Sequence, residues 1–341
     1  MALNKFMHPK NPYRTPPDFK QLAIKYPEFR KHVQQDLSGK VHLDFKDEGS
    51  VKALTNALLD KDFSLMVELP DDRLVPTLPL RLNYLLWIED LLIFCGLADK
   101  KVMGIDIGTG ASCIYPLLAA RKFDWSMLAT EIDKQSVRVA QSNVNRNSLS
   151  DKIKVEHVDV GSILVGVVDE GKVYDFSMCN PPFFSDRCEV GRGNNAPSGL
   201  EHELVAQGGE IAFITKIIAD SAQLGQSVRL YTTMIGHKSH VSSVKREVRA
   251  AGARSMVSTE LCQGRTIRWV VAWTFMPDID LSSMDKTCGL PKNQPHDKRP
   301  PLIYNFTLAQ PSSLDAIKNK VQDALTKLEV YKFSSNTSLW R

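Results

Sequence analysis

Val102-Met103-Gly104-Ile105-Asp106-Ile107-Gly108-Thr109-Gly110 decides the fold of this 341-residue chain. The run from 102 to 107 reads as a buried strand. It ends next to a carboxylate and is followed by two glycines one residue apart. Glycine reaches positive φ at no steric cost and lets the backbone approach a ligand closely, so Gly108 and Gly110 predict a tight turn. A helix predicted over 111–121 then presents its unpaired amides to the same crevice.

Outward from this turn, strand and helix patterns alternate. Strands are predicted near 126–131, 153–158, 174–179, 227–233, 256–261 and 267–275, and helices near 134–147, 208–224 and 238–252. Such alternation implies an α/β fold with a parallel sheet and helices on both faces. The last two strands lie close together and predict an antiparallel hairpin at one edge. The expectation is a Rossmann-like, mostly parallel seven-stranded sheet with a terminal antiparallel hairpin. Ligands in such sheets sit beyond the carboxyl ends of the strands.

The flanks divide the chain further. Residues 1–20 are rich in Pro and Lys, and the arm over 1–31 is expected to be disordered or loosely docked without a partner. The main domain is expected over 32–279, with a helical extension to about residue 95. Residues 21–60 show helical spacing at Leu22, Tyr26, Phe29, Val51, Leu54 and Leu58, and 62–80 read as a short strand and the turn Leu74-Val-Pro-Thr-Leu-Pro79. Residues 81–95 read as a buried helix ended by Gly96. Residues 185–207 lack periodicity and predict a mobile loop, 280–301 a polar linker, and 302–341 a strand–helix–strand too short to bury much core alone.

Composition narrows the class. Apolar residues make up 43% and charged residues 24%, ordinary for a globular protein. No apolar run approaches the ~18 residues of a membrane span. The six cysteines include no Cys-x-x-Cys pair, which argues against a zinc site and a disulfide framework. The start of the chain is polar and basic, without a secretory apolar core. An intracellular, reduced protein is expected.

The strand–turn at 102–110 reads as a donor site. A dinucleotide fingerprint places a third glycine three residues after the second, and Cys113 stands there instead. S-adenosylmethionine carries no pyrophosphate and does not need that glycine. Glu131 ends the next strand, about twenty residues on, where a carboxylate accepts ribose hydroxyls. His157-Val158-Asp159 ends the third strand and offers Asp159 to an adenine. Ser112 and Ser162 are further candidate donor contacts, and Arg81 is the obvious cation for the donor's carboxylate. Asp106, Gly108 and Gly110 complete the predicted donor set.

Asn180-Pro181-Pro182-Phe183 follows the strand at 174–179. An exocyclic amine or amide nitrogen is a poor nucleophile because its lone pair is delocalised. The Asn180 side-chain oxygen and the Pro181 carbonyl, held rigidly by two prolines, can accept its two N–H groups and aim the lone pair. Phe183 can stack on a base. Most of the gain is orientation, so no metal is required. The motif gives the functional group and leaves open the molecule: an adenine amine or a protein glutamine amide.

Charge favours nucleic acid. The net charge is only +4, yet residues 1–31 hold seven Lys/Arg against Asp18 and Glu28. A basic arm predicts an acidic partner, with a phosphate backbone first, and Phe6, Tyr13 and Phe19 among the charges can stack on bases. Arg265 and Arg268 beside Trp269, and Lys245, Arg246 and Arg249 on a predicted helix, point the same way.

On these residues the chain resembles the RNA adenine-N6 methyltransferase family called methyltransferase-like protein 16. The resemblance covers roughly residues 1–277. It rests on Pro17-Asp-Phe, Leu80-Arg-Leu-Asn-Tyr84, Gly104-Ile-Asp-Ile-Gly-Thr-Gly-Ala-Ser-Cys-Ile-Tyr-Pro116, Leu128-Ala-Thr-Glu131, Met178-Cys-Asn-Pro-Pro-Phe-Phe184, Cys262-Gln-Gly-Arg-Thr266 and Arg268-Trp269. It implies a class I S-adenosylmethionine-dependent enzyme that methylates hairpin RNA, namely U6 spliceosomal RNA and SAM synthetase transcripts, in the nucleus and also in the cytoplasm. It also implies donor contacts from Arg81, Gly108, Ser112, Glu131 and Asn180, and RNA contacts from Lys5, Lys10, Arg14, Arg265 and Arg268. Residues 302–341 would open a C-terminal RNA-binding module. Two positions depart from the family pattern. Pro12 stands where the family's arm has Arg, and His157-Val-Asp-Val-Gly-Ser162 lacks the family's donor-covering Lys.

Overall fold

Seven strands form one sheet in the order β5-β4-β3-β6-β7-β9-β8. They are β3 (Met103–Ile107), β4 (Ser126–Glu131), β5 (Ile153–His157), β6 (Tyr174–Cys179), β7 (Val228–Ile235), β8 (Ser255–Gln263) and β9 (Thr266–Thr274). The computed structural model describes residues 3–99, 101–169, 171–182, 208–264 and 266–284, leaving aside the side chains of Leu3 and Lys5. The first five strands run parallel, and β9 pairs antiparallel with both β7 and β8. The expected terminal hairpin is therefore present, with β8 at the edge.

The sheet is buried on both faces, which is why its strands read as nearly continuous apolar runs. Alternation sorts β9, for example. Val270 and Ala272 join the core on one face, and Val271 and Trp273 the core on the other. The first face is covered by α3 (Glu48–Phe63), α4 (Leu78–Phe94), α5 (Ile114–Phe123) and α6 (Lys134–Arg146). The second is covered by α7 (Gly209–Leu224) through Ile214, Ile217 and Ile218, and by α8 (Lys238–Ala250) through Val244 and Val248. Gly104 has a packing reason: an added Cβ would lie 2.3 Å from the Phe176 ring. α4 is buried almost all round, as a mostly apolar helix must be. Among the described residues no helix is long and apolar enough to cross a membrane.

Three expectations are corrected. The described part of the N-terminal arm, residues 3–31, is neither disordered nor loosely docked. It contains short 3-10 turns at Leu3–Phe6 and Pro12–Arg14, then α1 (Phe19–Lys25) and α2 (Pro27–Arg30). Met7, Tyr13, Leu22, Ala23 and Phe29 are buried in the main core while Lys20, Lys25, Arg30 and Lys31 stay in solvent. Burial of these five side chains outweighs the Pro- and Lys-rich composition. Second, residues 33–43 form a small antiparallel hairpin, β1 (Val33–Gln35) with β2 (Val41–Leu43), and no strand occurs over 64–77. Third, the domain runs past 279. Leu281 and Met284 are buried, and the Leu281 amide donates to Ser255 Oγ. The predicted loop at 185–207, the rest of the linker and the segment 302–341 lie outside the described residues.

Candidate functional site

A cavity of about 510 Å³ opens at the carboxyl ends of β3, β4, β5 and β6. Its floor is the turn after β3. Gly108 and Gly110 take φ +70° and +65°, so side chains there would be strained, and the chain reverses into α5 through Cys113. Glu131, at the end of β4, braces this turn. Its Oε2 accepts the Gly110 amide at 2.9 Å, and its Oε1 accepts the Ile132 and Asp133 amides at 2.8 and 3.0 Å.

Arg81, Gly108, Gly110, Ser112, Glu131, Ser162, Asn180, Pro181 and Pro182 all line the cavity. Sequence separated them widely, and the sheet brings them together. Asp106 lies beneath, 1% exposed. Burial pushes its carboxyl up to about 7, against the opposing charge of Arg81. Asp159 was expected at the adenine end; it is exposed and is not among the residues that line the cavity, while its neighbours Val158 and Val160 are. Phe183 lies outside the described residues.

Four polar atoms at the site are buried without a hydrogen-bond partner among the described residues: Arg81 Nε, Asp106 Oδ2, Thr109 Oγ1 and Asn180 Oδ1. Such groups are rarely left unsatisfied in proteins, so each needs a reason. Arg81 is held by its other nitrogen, which donates to Tyr115 Oη at 2.9 Å. Asn180 follows β6, which is anchored below by the Thr232 hydroxyl donating to the Ser177 carbonyl at 2.8 Å. An apolar-walled cavity with a cation, a buried carboxylate and an unpaired amide oxygen in register can hold a zwitterionic ligand and a planar NH2 group side by side.

Sequence reading missed part of the wall. Leu74 and Pro76 come from the proline turn, and Phe213 and Lys216 from the first turns of α7. The i, i+3 spacing of Phe213 and Lys216 puts them on one helix face. That face could have been recognised in the sequence, but not the cavity it meets.

The basic residues divide. Lys10 Nζ sits 2.8 Å from Glu89 and 2.9 Å from Asp90. Arg14 is exposed. Tyr13 is not a free stacking ring: it is 4% exposed and donates to Asp62 at 2.9 Å. Arg268 is half-buried on β9. Desolvation and nearby Arg81 lower its pKa, opposed by Glu210. Arg265 and the Lys5 side chain lie outside the described residues.

Comparison with known proteins agrees with this geometry. A family model described as "RNA methyltransferase" matches residues 1–277. The chain is 45% identical over 329 residues to the RNA N(6)-adenosine-methyltransferase mettl16 of Danio rerio, covering 93% of this chain and 68% of that protein. It is 44% identical over 320 residues to the U6 small nuclear RNA (adenine-(43)-N(6))-methyltransferase of Caenorhabditis elegans, covering 84% and 66%. The catalytic domain of human METTL16 in complex with a MAT2A 3'UTR hairpin superposes with a TM-score of 0.74 at 46% identity, covering 80% of this chain and 96% of that one. The N-terminal domain of human METTL16 with SAH gives 0.69 at 45%, covering 79% and 99%. The chain spans about half the length of the chicken and human relatives it matches.

Proposed function

The chain belongs to this family of RNA methyltransferases, and on that premise we propose that it methylates the N6 amine of an adenosine in hairpin RNA with S-adenosylmethionine as donor. The RNAs proposed are U6 spliceosomal RNA and SAM synthetase transcripts, the first of which implies a nuclear site of action. The observation that carries the reading is Asn180 Oδ1, buried without a partner at the mouth of the donor cavity.

The residues present fit the donor. Glu131 keeps an acceptor position for a ribose hydroxyl, Arg81 Nε is left for the donor's carboxylate, and Asp106 supplies negative charge beneath its cationic end. Ser112, Ser162 and the Gly108–Gly110 turn close the pocket around it. When bound, S-adenosylmethionine supplies an electrophilic sulfonium methyl. On the acceptor side, Asn180 Oδ1 and the Pro181 carbonyl accept the two N–H groups of the adenine amine. Held this way the nitrogen is pyramidal and its lone pair is aimed, which is a gain of orientation. No strong base is needed, because the N–H becomes acidic only as the methyl transfers. Pro182 stiffens the turn and Phe183 stacks on the base. Lys5, Lys10, Arg14, Arg265 and Arg268 contact the phosphate backbone.

The test is labelled S-adenosylmethionine with a U6-type RNA hairpin and, separately, a glutamine-bearing peptide, followed by nucleoside and peptide analysis. N6-methyladenosine is expected. Label confined to peptide would overturn the reading in favour of a protein glutamine methyltransferase.

A further inference from the structure

Asn83 joins three segments that bear on RNA. It lies on α4 two residues after Arg81 and is fully buried. Its Oδ1 accepts the His8 amide at 3.1 Å and Asn11 Nδ2 at 2.7 Å, both from the arm. Its Nδ2 donates to the Cys262 carbonyl at 2.9 Å, near the end of β8. The arm also grips the β8–β9 connection directly, because Asn4 Oδ1 accepts the Gly264 amide at 2.9 Å. The sequence of that connection leads through Arg265 to Arg268. Two helical turns further along α4, on the same side, Asp90 lies 2.8 Å from His8 Nε2 and 2.9 Å from Lys10 Nζ.

A buried amide disfavours folding unless every group it presents is satisfied. An aliphatic side chain at position 83 would fill the space without that demand. What Asn83 adds is a fixed register between the arm, α4 and the hairpin. A segment that must be ordered on binding weakens the complex by the entropy of ordering it. A segment already in place does not.

We propose that Asn83 is a positioning residue for RNA recognition: it holds residues 4–14 and the β8–β9 connection together as one preassembled face before RNA arrives. The inference rests on the reading of RNA as substrate. It concerns how the face is built rather than which chemistry follows.

The experiment compares the wild-type chain, Asn83→Ala, the arm-side variant Asn11→Ala, which leaves the α4 core intact, and a deletion of residues 1–14. Hydrogen exchange is followed at the amides of Met7, Asn11 and Arg14, which bond to Asn4, His8 and Asn11 carbonyls. In the wild type these amides are protected with or without an RNA hairpin. In both substitutions they exchange quickly in the free protein and become protected when the hairpin is added. RNA Kd and KM rise about tenfold or more from the added ordering, while kcat at saturating RNA and S-adenosylmethionine affinity stay within about twofold. A merely structural role would instead lower donor affinity and kcat together. Arm protection in free Asn11→Ala and Asn83→Ala equal to wild type, or unchanged RNA affinity, overturns the proposal. If the deletion also leaves RNA affinity unchanged, it is the assignment of RNA contacts to the arm that fails.

Discussion

Replacing Glu131 with Gln keeps the shape of the residue and removes its charge at the centre of the donor site. A carboxylate offers about four acceptor positions. Three are taken by the amides of Gly110, Ile132 and Asp133, so one position on Oε2 remains for a ribose hydroxyl. A glutamine that keeps its oxygen on Ile132 and Asp133 turns its NH2 toward the Gly110 amide. Two donors then face each other, and the ribose hydroxyl finds no acceptor. Hydrogen bonds to charged groups contribute about 1.5–3 kcal/mol each. The Gly110 bond is lost in the free and the bound protein alike, so it weakens folding. The ribose bond is lost only on binding, which predicts an S-adenosylmethionine Kd roughly 10- to 150-fold higher. Calorimetric titration with S-adenosylmethionine and its demethylated product measures the second effect, and thermal unfolding the first. A lowered melting temperature with donor affinity unchanged within about twofold would refute the reasoning, because Glu131 would then brace the turn and touch no ligand.

Asn180→Ala is expected to lower kcat by about 10²-fold or more, since it removes an acceptor matched to the transition state, with RNA affinity little changed; near-normal turnover in single-turnover assays would eliminate that role. Asp106 has a folded-state pKa raised to about 7 by burial, so the native state holds its proton more tightly than the unfolded chain. Stability of the ligand-free protein should therefore fall as pH rises from about 4 through 7, and Asp106→Asn should flatten that slope in urea melts; equal slopes would contradict the assignment. A cationic ligand favours the ionised carboxylate, so S-adenosylmethionine affinity should rise as pH increases through 7, and a pH-independent Kd would count against Asp106 lying beneath the donor. Deleting residues 1–14 removes Lys5, Lys10 and Arg14 and should make the slope of log K for RNA against log salt shallower by about 2. The same deletion should lower the melting temperature, because Met7 and Tyr13 are buried; an unchanged slope would mean the arm touches no phosphate.

Much of the sheet was legible because its strands are short apolar runs between turn residues. The predicted 126–131 and 174–179 coincide with β4 and β6. The turns at 108–110 and 180–182 were legible as turns for the same reason, since glycine and proline mark backbone positions that few other residues can fill. What failed was reading burial from composition. Lys, Arg and Pro make up 12 of residues 1–31, yet the five buried apolar side chains there alternate with solvated charges, as a docked segment requires. Leu281 and Met284 were hidden in the same way by polar neighbours. The β1–β2 hairpin has three residues a side, partly exposed, too few for any period to show. Asp159 follows the end of β5 in a turn, where strand alternation no longer says which side chain meets the cavity.

Helix α4 shows why the site could be found and its wiring could not. Its sequence says that it is buried, and a buried helix admits polar groups only where each finds a partner. Tyr84 Oη meets Thr232 on β7 at 2.8 Å, Asn83 meets the arm and β8, and Asp90 meets His8 and Lys10. Each of these pairings joins residues far apart in the chain, so no local pattern announces it. Arg81 is the exception on this helix. One nitrogen is held by Tyr115, while Nε, buried at the cavity wall, has no partner. On a helix whose other polar side chains form hydrogen bonds to the fold, a satisfied guanidinium would mark structure alone. One left half-satisfied marks the place where the fold ends and a ligand must complete it.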